Sequence, residues 1–333
     1  MSKISILVAV YNAAPWLQQC LDSLRAQTLT DIQIICVDDA STDESPDILR
    51  SNAREDSRIT VLRQSENHGQ AVARNRAVSV ADGAFMTMVD ADDWLAPDAL
   101  EQAWKVVEQH PHTDAVLLDL IKVYADERYE PYWQEPGGGL FGSEGVLNGR
   151  EAMEKSLEWG LHGLYIVRSD IQRAYPYDDT ARLYSDDNTT RIHYLHCREV
   201  RYCTGRYFYR QHAASCTGGV SPLYFESLAA QRHLHEMLQS EGIDADILRR
   251  YEGYRWLQLV DNVYWLALHH DDYTPQERQV AKEKIRAAWH SFHRTDIPHH
   301  VRRKFGYRRG LTFADFWAQE TVYFALRRWM HRL

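Results

Sequence analysis

The chain is poor in cysteine and has no long apolar run. Its five cysteines are an odd number without a CxxC pair, which argues against a disulfide framework and against a zinc knuckle. No apolar run approaches the roughly 18 residues that a membrane-spanning helix needs, and residues 1–10 are too short and too weakly basic for a signal peptide. We therefore expect a globular protein that resides in the cytoplasm.

Positive charge is scarce in most of the chain and concentrated near its C-terminus. The net charge is −9, but the segment from Glu277 onward holds 13 Lys and Arg residues against 5 Asp and Glu, a net +8. Residues 1–276 therefore carry −17, and such an acidic body argues against nucleic-acid binding. The basic, aromatic tail has two interpretations. It makes peripheral contact with the anionic inner membrane surface, or it is a helix that packs on the body or on a second subunit.

Apolar runs alternate with helical patterns through the first part of the chain. Residues 4–10 and 32–37 are nearly unbroken apolar runs, typical of strands buried on both faces of a parallel sheet. The pattern predicts strands at 4–10, 32–37, 59–62, 85–90 and 115–118, and helices at 16–24, 45–52, 70–80 and 97–108. This alternation predicts an α/β fold with a mostly parallel, Rossmann-like sheet flanked by helices.

Polar side chains follow three of these strands directly. Tyr11 follows the first strand, Asp38 and Asp39 end the second, and Asp90 and Asp92 end the fourth. Right-handed crossovers place the carboxyl ends of parallel strands at one edge, so we expect these five residues to gather there. Asp90 and Asp92 offer hard oxygen ligands to Mg²⁺ or Mn²⁺, and such an ion can hold a diphosphate.

The alternative interpretation is a set of solvated acidic turns that cap the helices that follow them. Asp93 fits this role, because it lies shortly before the helix predicted at 97–108.

The pattern is less regular after residue 118. Residues 119–156 contain the glycine run 137–139 and are expected to form an excursion or flexible loop near the site. The later part of the chain predicts strands at 161–167 and 200–209, an acidic helix start at 185–187, and helices at 223–238, 245–268 and 275–292. We expect an α/β domain at 1–220 and an α-helical C-terminal extension at 221–333.

Four short motifs in one order carry a resemblance to a known family. They are SILVAVYN at 5–12, VDDASTD at 37–43, NHG at 67–69 with ARN at 73–75, and DADD at 90–93. In this order they resemble the family-2 inverting glycosyltransferases, which have the GT-A fold. The resemblance covers residues 1–110 and implies that they form the half that binds the nucleotide sugar, with the acceptor half at 111–220.

Beyond residue 110 the resemblance is thinner. SDD at 185–187 looks like the family's Glu-Asp pair at the acceptor site, and YRQHAAS at 209–215 looks like its Tyr-Arg-x-His-x-x-Ser segment, which ends here at Ser215. The helical extension contains no motif of the family.

The resemblance implies how the nucleotide is held. It places Tyr11 and Asp39 around the base, with Asp38 in support, and Arg74 near the base or the diphosphate. These residue types suit that task, because an aromatic ring can stack on a base and a carboxylate can accept a hydrogen bond from an imide N–H.

The resemblance also implies a divalent cation, Mn²⁺ or Mg²⁺, beside the diphosphate. Asp92 would bind the ion, and Asp90 would lie by the ribose or share in binding the ion. Arg210 and His212 would belong to the donor site, with His212 reaching the diphosphate or the ion. An ordinary loop hydrogen bond is the alternative role for His212.

For the reaction, the resemblance implies inverting transfer from a nucleotide sugar, which we take to be a UDP-sugar, to a hydroxyl of a glycan or lipid-linked acceptor in surface polysaccharide synthesis. Such a transfer needs one base to take the proton of the acceptor hydroxyl. Asp187 is our candidate for this base. Asp186 stands where the family usually has Glu, which leaves open which of the two carboxylates faces the acceptor. Alternatively, the pair caps a helix N-terminus.

Three other functions stay open from the sequence. A nucleotidyltransferase also uses an α/β sheet and a carboxylate-bound metal, but its glycine-rich, basic loop is missing from YNAAP at 11–15. A receiver-type acid pocket at 37–39 would leave the clusters at Asp90 and Asp187 unexplained. A nucleotide-sugar-binding or glycan-binding protein without turnover would be unaffected by Asp187→Ala.

Overall fold

The computed structural model of the protein describes residues 2–180, 184–212, 220–293, 295–299, 301 and 312–330. The chain divides into two compact units, one of residues 1–179 with 185–215 and one of residues 180–184 with 216–333. Ser215 and the basic run at 302–309 lie outside the described residues. The predicted domain boundary at residue 220 stays a prediction.

The first unit is built on one mixed sheet. Its strands are β1 Ile4–Val10, β2 Ile32–Asp38, β3 Ile59–Arg63, β4 Phe85–Met88, β5 Trp94–Leu95, β6 Thr113–Tyr124, β7 Tyr129–Pro131, β8 Tyr165–Arg168 and β9 Glu199–Gln211. Their order is β3-β2-β1-β4-β8-β6-β9-β5, with β7 paired to β6. Pairing is parallel from β3 to β4 and between β6 and β9, and it is antiparallel where β8 joins β4 and β6.

Helices cover both faces of this sheet. They are α1 Ala14–Arg25, α2 Ser45–Glu55, α3 Gln70–Val78, α4 Ala99–Gln109, α5 Gly149–Ser156, α6 Ser169–Ala174 and α7 Ser185–Leu195. Leu17 of α1 and Leu100 of α4 pack in a core with Ile6 of β1, whereas Ala73 of α3 packs in another core with Leu7. Adjacent residues of β1 enter different cores because successive strand side chains point to opposite faces. The predicted α/β fold with flanking helices is confirmed.

The register of the central strands brings three strand ends to one edge. Val10 of β1 lies opposite Asp38 of β2, and Leu7 of β1 lies opposite Met88 of β4. The Asp39 backbone N–H donates to the Val10 carbonyl at 2.8 Å, which joins the first two strands at their ends. The loops that follow β1, β2 and β4 therefore lie side by side, as the order of the strands predicted.

The predicted excursion after residue 118 is wrong in its first part. Strand β6 continues to Tyr124 because its pairing with β9 continues, with Lys122 opposite Tyr209. Strand β7 pairs with the same part of β6. Beyond them, a 3-10 turn at Pro136–Gly139 contains the predicted glycine run, in which Gly137 has φ 63°. This left-handed backbone costs glycine little because it has no Cβ.

The second unit is helical. After a 3-10 turn at Pro222–Glu226 it contains α8 Ser227–Ser240, α9 Ala245–Leu268, α10 Pro275–Ser291 and α11 Phe313–Trp329. Trp256, Trp289 and Phe316 are almost fully buried in its core, so large aromatic side chains supply much of the apolar area that stabilises this unit. No described helix combines the length and the apolarity that a membrane crossing requires.

Candidate active site

The loops after β1 and β2 are joined by hydrogen bonds. The Asn12 N–H donates to Ser41 Oγ at 3.0 Å, and Asn12 Oδ1 accepts from the Thr42 N–H at 2.9 Å. Asn12 has a left-handed backbone with φ 49°, which Asn tolerates better than most residues. Tyr11 precedes this turn at the sheet edge, and 52% of its surface is exposed. An exposed ring on a fixed loop has the form that stacking on a base requires.

Asp38 and Asp39 are buried and held by partners of the protein itself. Asp38 forms an ion pair with Arg63 at 3.2 Å. Asp39 accepts hydrogen bonds from the backbone N–H groups of His68 and Gly69 at 2.9 and 2.8 Å. Asp39 therefore fixes the loop that leads into α3. Contact of either carboxylate with a nucleotide stays a prediction.

Three carboxylates gather in the turn after β4. Ligand oxygens of Asp90, Asp92 and Asp93 lie within 4.8 Å of one another. Asp93 accepts at both oxygens, from Tyr207 Oη at 2.8 Å and from the Arg210 backbone N–H at 2.8 Å. The prediction that Asp93 caps the next helix is wrong, because these donors of β9 occupy both of its oxygens.

Asp90 and Asp92 fit a divalent cation better than Asp93 does. Burial and the charge of Asp90 raise the pKa of Asp92, so negative charge is crowded here. Asp90 and Asp92 keep 35% and 28% of their side-chain surface exposed, whereas Asp93 is only 1% exposed. Mg²⁺ and Mn²⁺ prefer carboxylate oxygens, and either ion would offset this crowded charge.

His212 lies beside this cluster, and its contact with the diphosphate or the ion stays a prediction. Its Nε2 is 2.9 Å from Asp92 Oδ2, and its ring stacks on Trp16 with the ring centroids 4.2 Å apart. The other ring nitrogen, Nδ1, is buried without a hydrogen-bond partner among the described residues. The stacked ring holds the histidine at the carboxylates, which is the position that a cation ligand or a diphosphate contact needs.

Arg210 is occupied by contacts within the protein. Its Nε donates to the Asp92 carbonyl at 2.8 Å, and its guanidinium lies 4.6 Å from the ring centroid of Trp94. These contacts join β9 to the turn after β4. The predicted contact of Arg210 with the donor stays a prediction.

Arg74 connects the two acidic clusters. Its buried Nη2 donates to Asp90 Oδ1 at 2.6 Å, and its Nη1 lies 3.8 Å from Asp186 Oδ2. Burial acts to lower the pKa of Arg74, but the charges of Asp90 and Asp186 outweigh it and raise the pKa, so the guanidinium stays charged. The turn after β4 and the start of α7 therefore meet in one site, although they are distant in the sequence.

Asp187 follows Asp186 in the first turn of α7. Its Oδ1 lies 3.7 Å from Arg191 Nη1, and its carbonyl accepts from Arg191 at 2.6 Å. Burial raises the pKa of Asp187 to about 7, against the opposing effect of the Arg191 charge. A carboxylate with this pKa can take up a proton near neutral pH. The helix begins at the acids as predicted, and the role of Asp187 as a base stays a prediction.

A buried histidine holds α7 on the sheet. His193 Nε2 donates to the Tyr175 carbonyl at 2.7 Å, because a carbonyl can only accept, and Nδ1 accepts from Tyr165 Oη at 2.8 Å. Burial lowers the pKa of His193 to about 4, so the ring is neutral. Since Tyr165 belongs to β8, this pair fixes the helix that carries Asp187 relative to the sheet.

The sequence reasoning missed Tyr207, Arg191 and Trp16. Tyr207 is fully buried, and its Oη accepts from the Asp90 N–H at 3.1 Å. The alternation along β9 could have pointed to Tyr207 as an inward side chain, and the four-residue spacing of Arg191 from Asp187 is typical of helical ion pairs. No local pattern indicates that Trp16 stacks on His212, which lies far away in the sequence.

Part of the chain is similar to known glycosyltransferases. Residues 5–158 match the protein family described as Glycosyl transferase family 2. EpsH of Bacillus subtilis strain 168 is 41% identical over 123 residues, which are 37% of this chain and 35% of EpsH. The uncharacterized glycosyltransferase EpsJ of the same strain is 31% identical over 217 residues, which are 64% of this chain and 62% of EpsJ. The matched segments thus span less than two thirds of these relatives' own length.

A solved structure shows the same fold. The crystal structure of S. aureus TarS 1–349 in complex with UDP matches with a TM-score of 0.71 at 18% identity, covering 96% of this chain and 91% of that chain. The fold is therefore of the GT-A type with C-terminal helices, as the resemblance implied. Residues 5–158 of this chain thus match glycosyl transferase family 2, as the resemblance implied.

Proposed function

We propose that this protein is a metal-dependent inverting glycosyltransferase. It transfers a sugar from a UDP-sugar to a hydroxyl of a glycan or lipid-linked acceptor in surface polysaccharide synthesis, on the cytoplasmic side of the membrane. The observation that carries the proposal is the position of Arg74, which contacts Asp90 and lies close to Asp186. Arg74 thus lies between the carboxylates proposed to hold the metal and the first turn of α7, which contains the proposed base, in a chain whose residues 5–158 match a glycosyltransferase family. The UDP in the TarS structure supports the choice of nucleotide.

Asp187 acts as the base in this proposal. As the acceptor oxygen attacks the anomeric carbon, its proton passes to a carboxylate oxygen of Asp187, and the bond from that carbon to the diphosphate oxygen breaks. Attack on the side opposite to the leaving group inverts the configuration at the carbon. With a pKa of about 7, Asp187 is partly ionised at neutral pH and holds the proton more tightly than an exposed carboxylate does.

Asp90 and Asp92 hold the divalent cation, with His212 beside them. When bound, Mg²⁺ or Mn²⁺ stabilises the negative charge that develops on the departing diphosphate. Tyr207 keeps this turn in place, because its Oη accepts from the Asp90 N–H and donates to Asp93. Arg74 adds a fixed positive charge beside Asp90, in a buried setting where charges act more strongly than in water. Tyr11 stacks on the base.

The last helix supports a contact with a membrane surface. Val322, Leu326 and Trp329 follow one another at helical spacing on α11 and are 59%, 52% and 79% exposed. They lie in the part of the chain from Glu277 onward, which carries a net +8. Exposed apolar side chains in a segment with net positive charge suit the interface of an anionic bilayer. In this proposal α11 holds the enzyme at the surface where a lipid-linked acceptor resides.

Release of free nucleoside diphosphate tests the proposal. The protein is incubated with a panel of UDP-sugars and GDP-sugars and with Mn²⁺ or Mg²⁺, and matched samples contain EDTA. We expect release from a UDP-sugar that depends on the metal. No release from any donor with either ion would contradict the proposal. Calorimetric binding of a UDP-sugar with no release would instead favour a nucleotide-sugar-binding protein without turnover.

A further inference from the structure

Trp159 occupies a backbone position that usually belongs to glycine. Its N–H donates to the Ser156 carbonyl at 3.1 Å, and the N–H of Gly160 donates to the Lys155 carbonyl at 2.9 Å. These two bonds form a Schellman motif after helix α5, and Trp159 is its left-handed residue, with φ 61°. A bulky side chain is disfavoured in this conformation. A strained residue of this kind points to a role for its side chain.

The indole ring of Trp159 is held in place and is still exposed. The Arg191 guanidinium lies 4.6 Å from the ring centroid, and the Trp159 carbonyl accepts a hydrogen bond from Tyr132 Oη. Arg191 is itself fixed, since it donates to the carbonyls of Asp187 and Ser156 at 2.6 and 3.0 Å. Nevertheless 42% of the surface of Trp159 is exposed. A fixed, exposed aromatic ring is suited to binding rather than to filling a core.

Arg191 lies between the ring of Trp159 and Asp187, the candidate base. The same guanidinium that contacts Trp159 lies 3.7 Å from Asp187 Oδ1. Asp187, Arg191 and Trp159 thus form a continuous row of side chains. An acceptor whose hydroxyl reaches Asp187 would extend along this row.

Further aromatic side chains border Trp159. The ring centroids of Trp133 and His162 are 4.9 Å apart, and Trp133 Nε1 donates to the Gly160 carbonyl at 3.1 Å. The carbonyls of both residues in the turn, Trp159 and Gly160, are therefore anchored by aromatic side chains, those of Tyr132 and Trp133. These bonds hold the turn, and with it the indole ring, in one position before any ligand binds.

We propose that Trp159 forms an acceptor subsite in which a pyranose ring stacks on the indole. The face of a pyranose presents C–H groups with partial positive charge, which are attracted to the negative face of an aromatic ring. An acyclic polyol has no rigid face of this kind and gains less from the same ring. The inference rests on the proposed transfer to a glycan and names the class of group that lies next to the reacting hydroxyl.

Replacement of Trp159 separates this role from a structural one. Trp159→Gly removes the ring and also relieves the left-handed backbone, so we expect its thermal midpoint to stay at or above that of the wild type. Trp159→Asn, which also tolerates this backbone, is the second variant if the glycine variant folds poorly. Trp159→Tyr keeps an aromatic face.

Saturation-transfer NMR with methyl glucopyranoside, methyl N-acetylglucosaminide and ribitol, in the presence of UDP and Mg²⁺, measures binding to each variant. We expect a pyranoside signal from the wild type and from Trp159→Tyr, weakened at least about fivefold in Trp159→Gly, with ribitol weak throughout. The proposal is overturned if neither pyranoside binds the wild type, if Trp159→Gly binds them equally, or if ribitol binds as well as they do.

Release of UDP by the wild type without acceptor distinguishes this inference from the proposed function. A wild type that releases UDP but binds no pyranoside keeps the proposed function and loses the subsite. A wild type that binds pyranosides through Trp159 but releases no UDP from any donor keeps the saccharide site and loses the proposed function.

Discussion

The carboxylates on the two sides of the site differ in what surrounds them. On the proposed nucleotide side, Asp39 is buried and accepts hydrogen bonds from the backbone N–H groups of His68 and Gly69. On the proposed acceptor side, burial raises the pKa of Asp187 to about 7, although Arg191 is near. Backbone N–H donors thus occupy the oxygens of Asp39, whereas burial destabilises the ionised form of Asp187. Acidic residues at loop and helix starts of one chain can therefore either hold a loop or exchange a proton, depending on their donors.

Asp187→Asn is the strongest test of this contrast. Asparagine keeps the shape of the side chain but cannot take the proton, so we expect sugar transfer to fall by roughly 10² to 10⁴. The measurement is the transfer rate at saturating donor, with UDP binding followed by calorimetry as a check that the donor site is intact.

Asp186→Asn is the matched control, because Asp186 lies in the same turn of α7 and close to Arg74 instead of Arg191. If the transfer rate falls further in Asp186→Asn than in Asp187→Asn, then Asp186 is the base. Transfer at the wild-type rate by both variants would remove the proton-exchange role from this side of the site.

Asp92→Asn tests the division of roles within the turn after β4. Loss of a carboxylate ligand should weaken metal binding at least about tenfold. The measurement is the rise of the thermal midpoint with Mn²⁺ in the presence of UDP, since a ligand of the folded state stabilises it by mass action. We expect Asp93→Asn to behave differently. It should lower the midpoint without ligand, because asparagine keeps only one of the two oxygens that accept from Tyr207 Oη and from the Arg210 N–H. Equal loss of the metal response in both variants would show that Asp93 is also a ligand.

The nucleotide side was easier to predict from the sequence than the acceptor side, for a physical reason. The run at Ile4–Val10 and the acids after β2 and β4 are local signals, and parallel order alone places their ends together. The contact between Arg74 and Asp186 instead depends on where α7 lies, and α7 is held to β8, the strand that pairs antiparallel with β4, by the bond between His193 and Tyr165. Nothing within either segment specifies that position.

Strand β6 is a second case in which the local sequence pattern does not predict the structure. Its extension through Lys122 was predicted as an excursion, because polar residues break the apolar pattern there and its partner β9 comes much later in the chain. A long-range pairing decided the structure, and the local pattern did not contain it. Tyr207 of β9 was missed for the same reason, since its contacts at Asp90 and Asp93 arise only when β9 is in place.

The pH dependence of the wild type tests the acceptor side again, with a smaller effect. A base must be ionised, so we expect kcat/KM to rise about tenfold per pH unit up to about 7 and then to level off. Asp187→Asn should lack this rise. The raised pKa also makes the stability of the fold depend on pH. The folded state binds the proton of Asp187 more tightly than the unfolded chain does, so the contribution of Asp187 to the free energy of unfolding is favourable at low pH and is lost as the pH rises through about 7. A level profile from pH 5 to 7 would contradict the assignment of the base.

Asp39→Asn tests the nucleotide side and should have the smallest effect on the reaction. The side-chain NH₂ of asparagine would replace one of the two oxygens that now accept from the backbone N–H groups of His68 and Gly69. One of these N–H groups then has no acceptor, so we expect the free energy of unfolding to fall by about 1–3 kcal/mol. Urea denaturation measures this, with the exposed Asp31→Asn as a control that should stay within about 0.5 kcal/mol of the wild type. If Asp39→Asn instead keeps its stability and weakens UDP binding, then Asp39 binds the base of the nucleotide and does not fix the loop. The contrast with Asp187 would then be one between two ligand-facing carboxylates, and the backbone donors around Asp39 would orient it for the nucleotide.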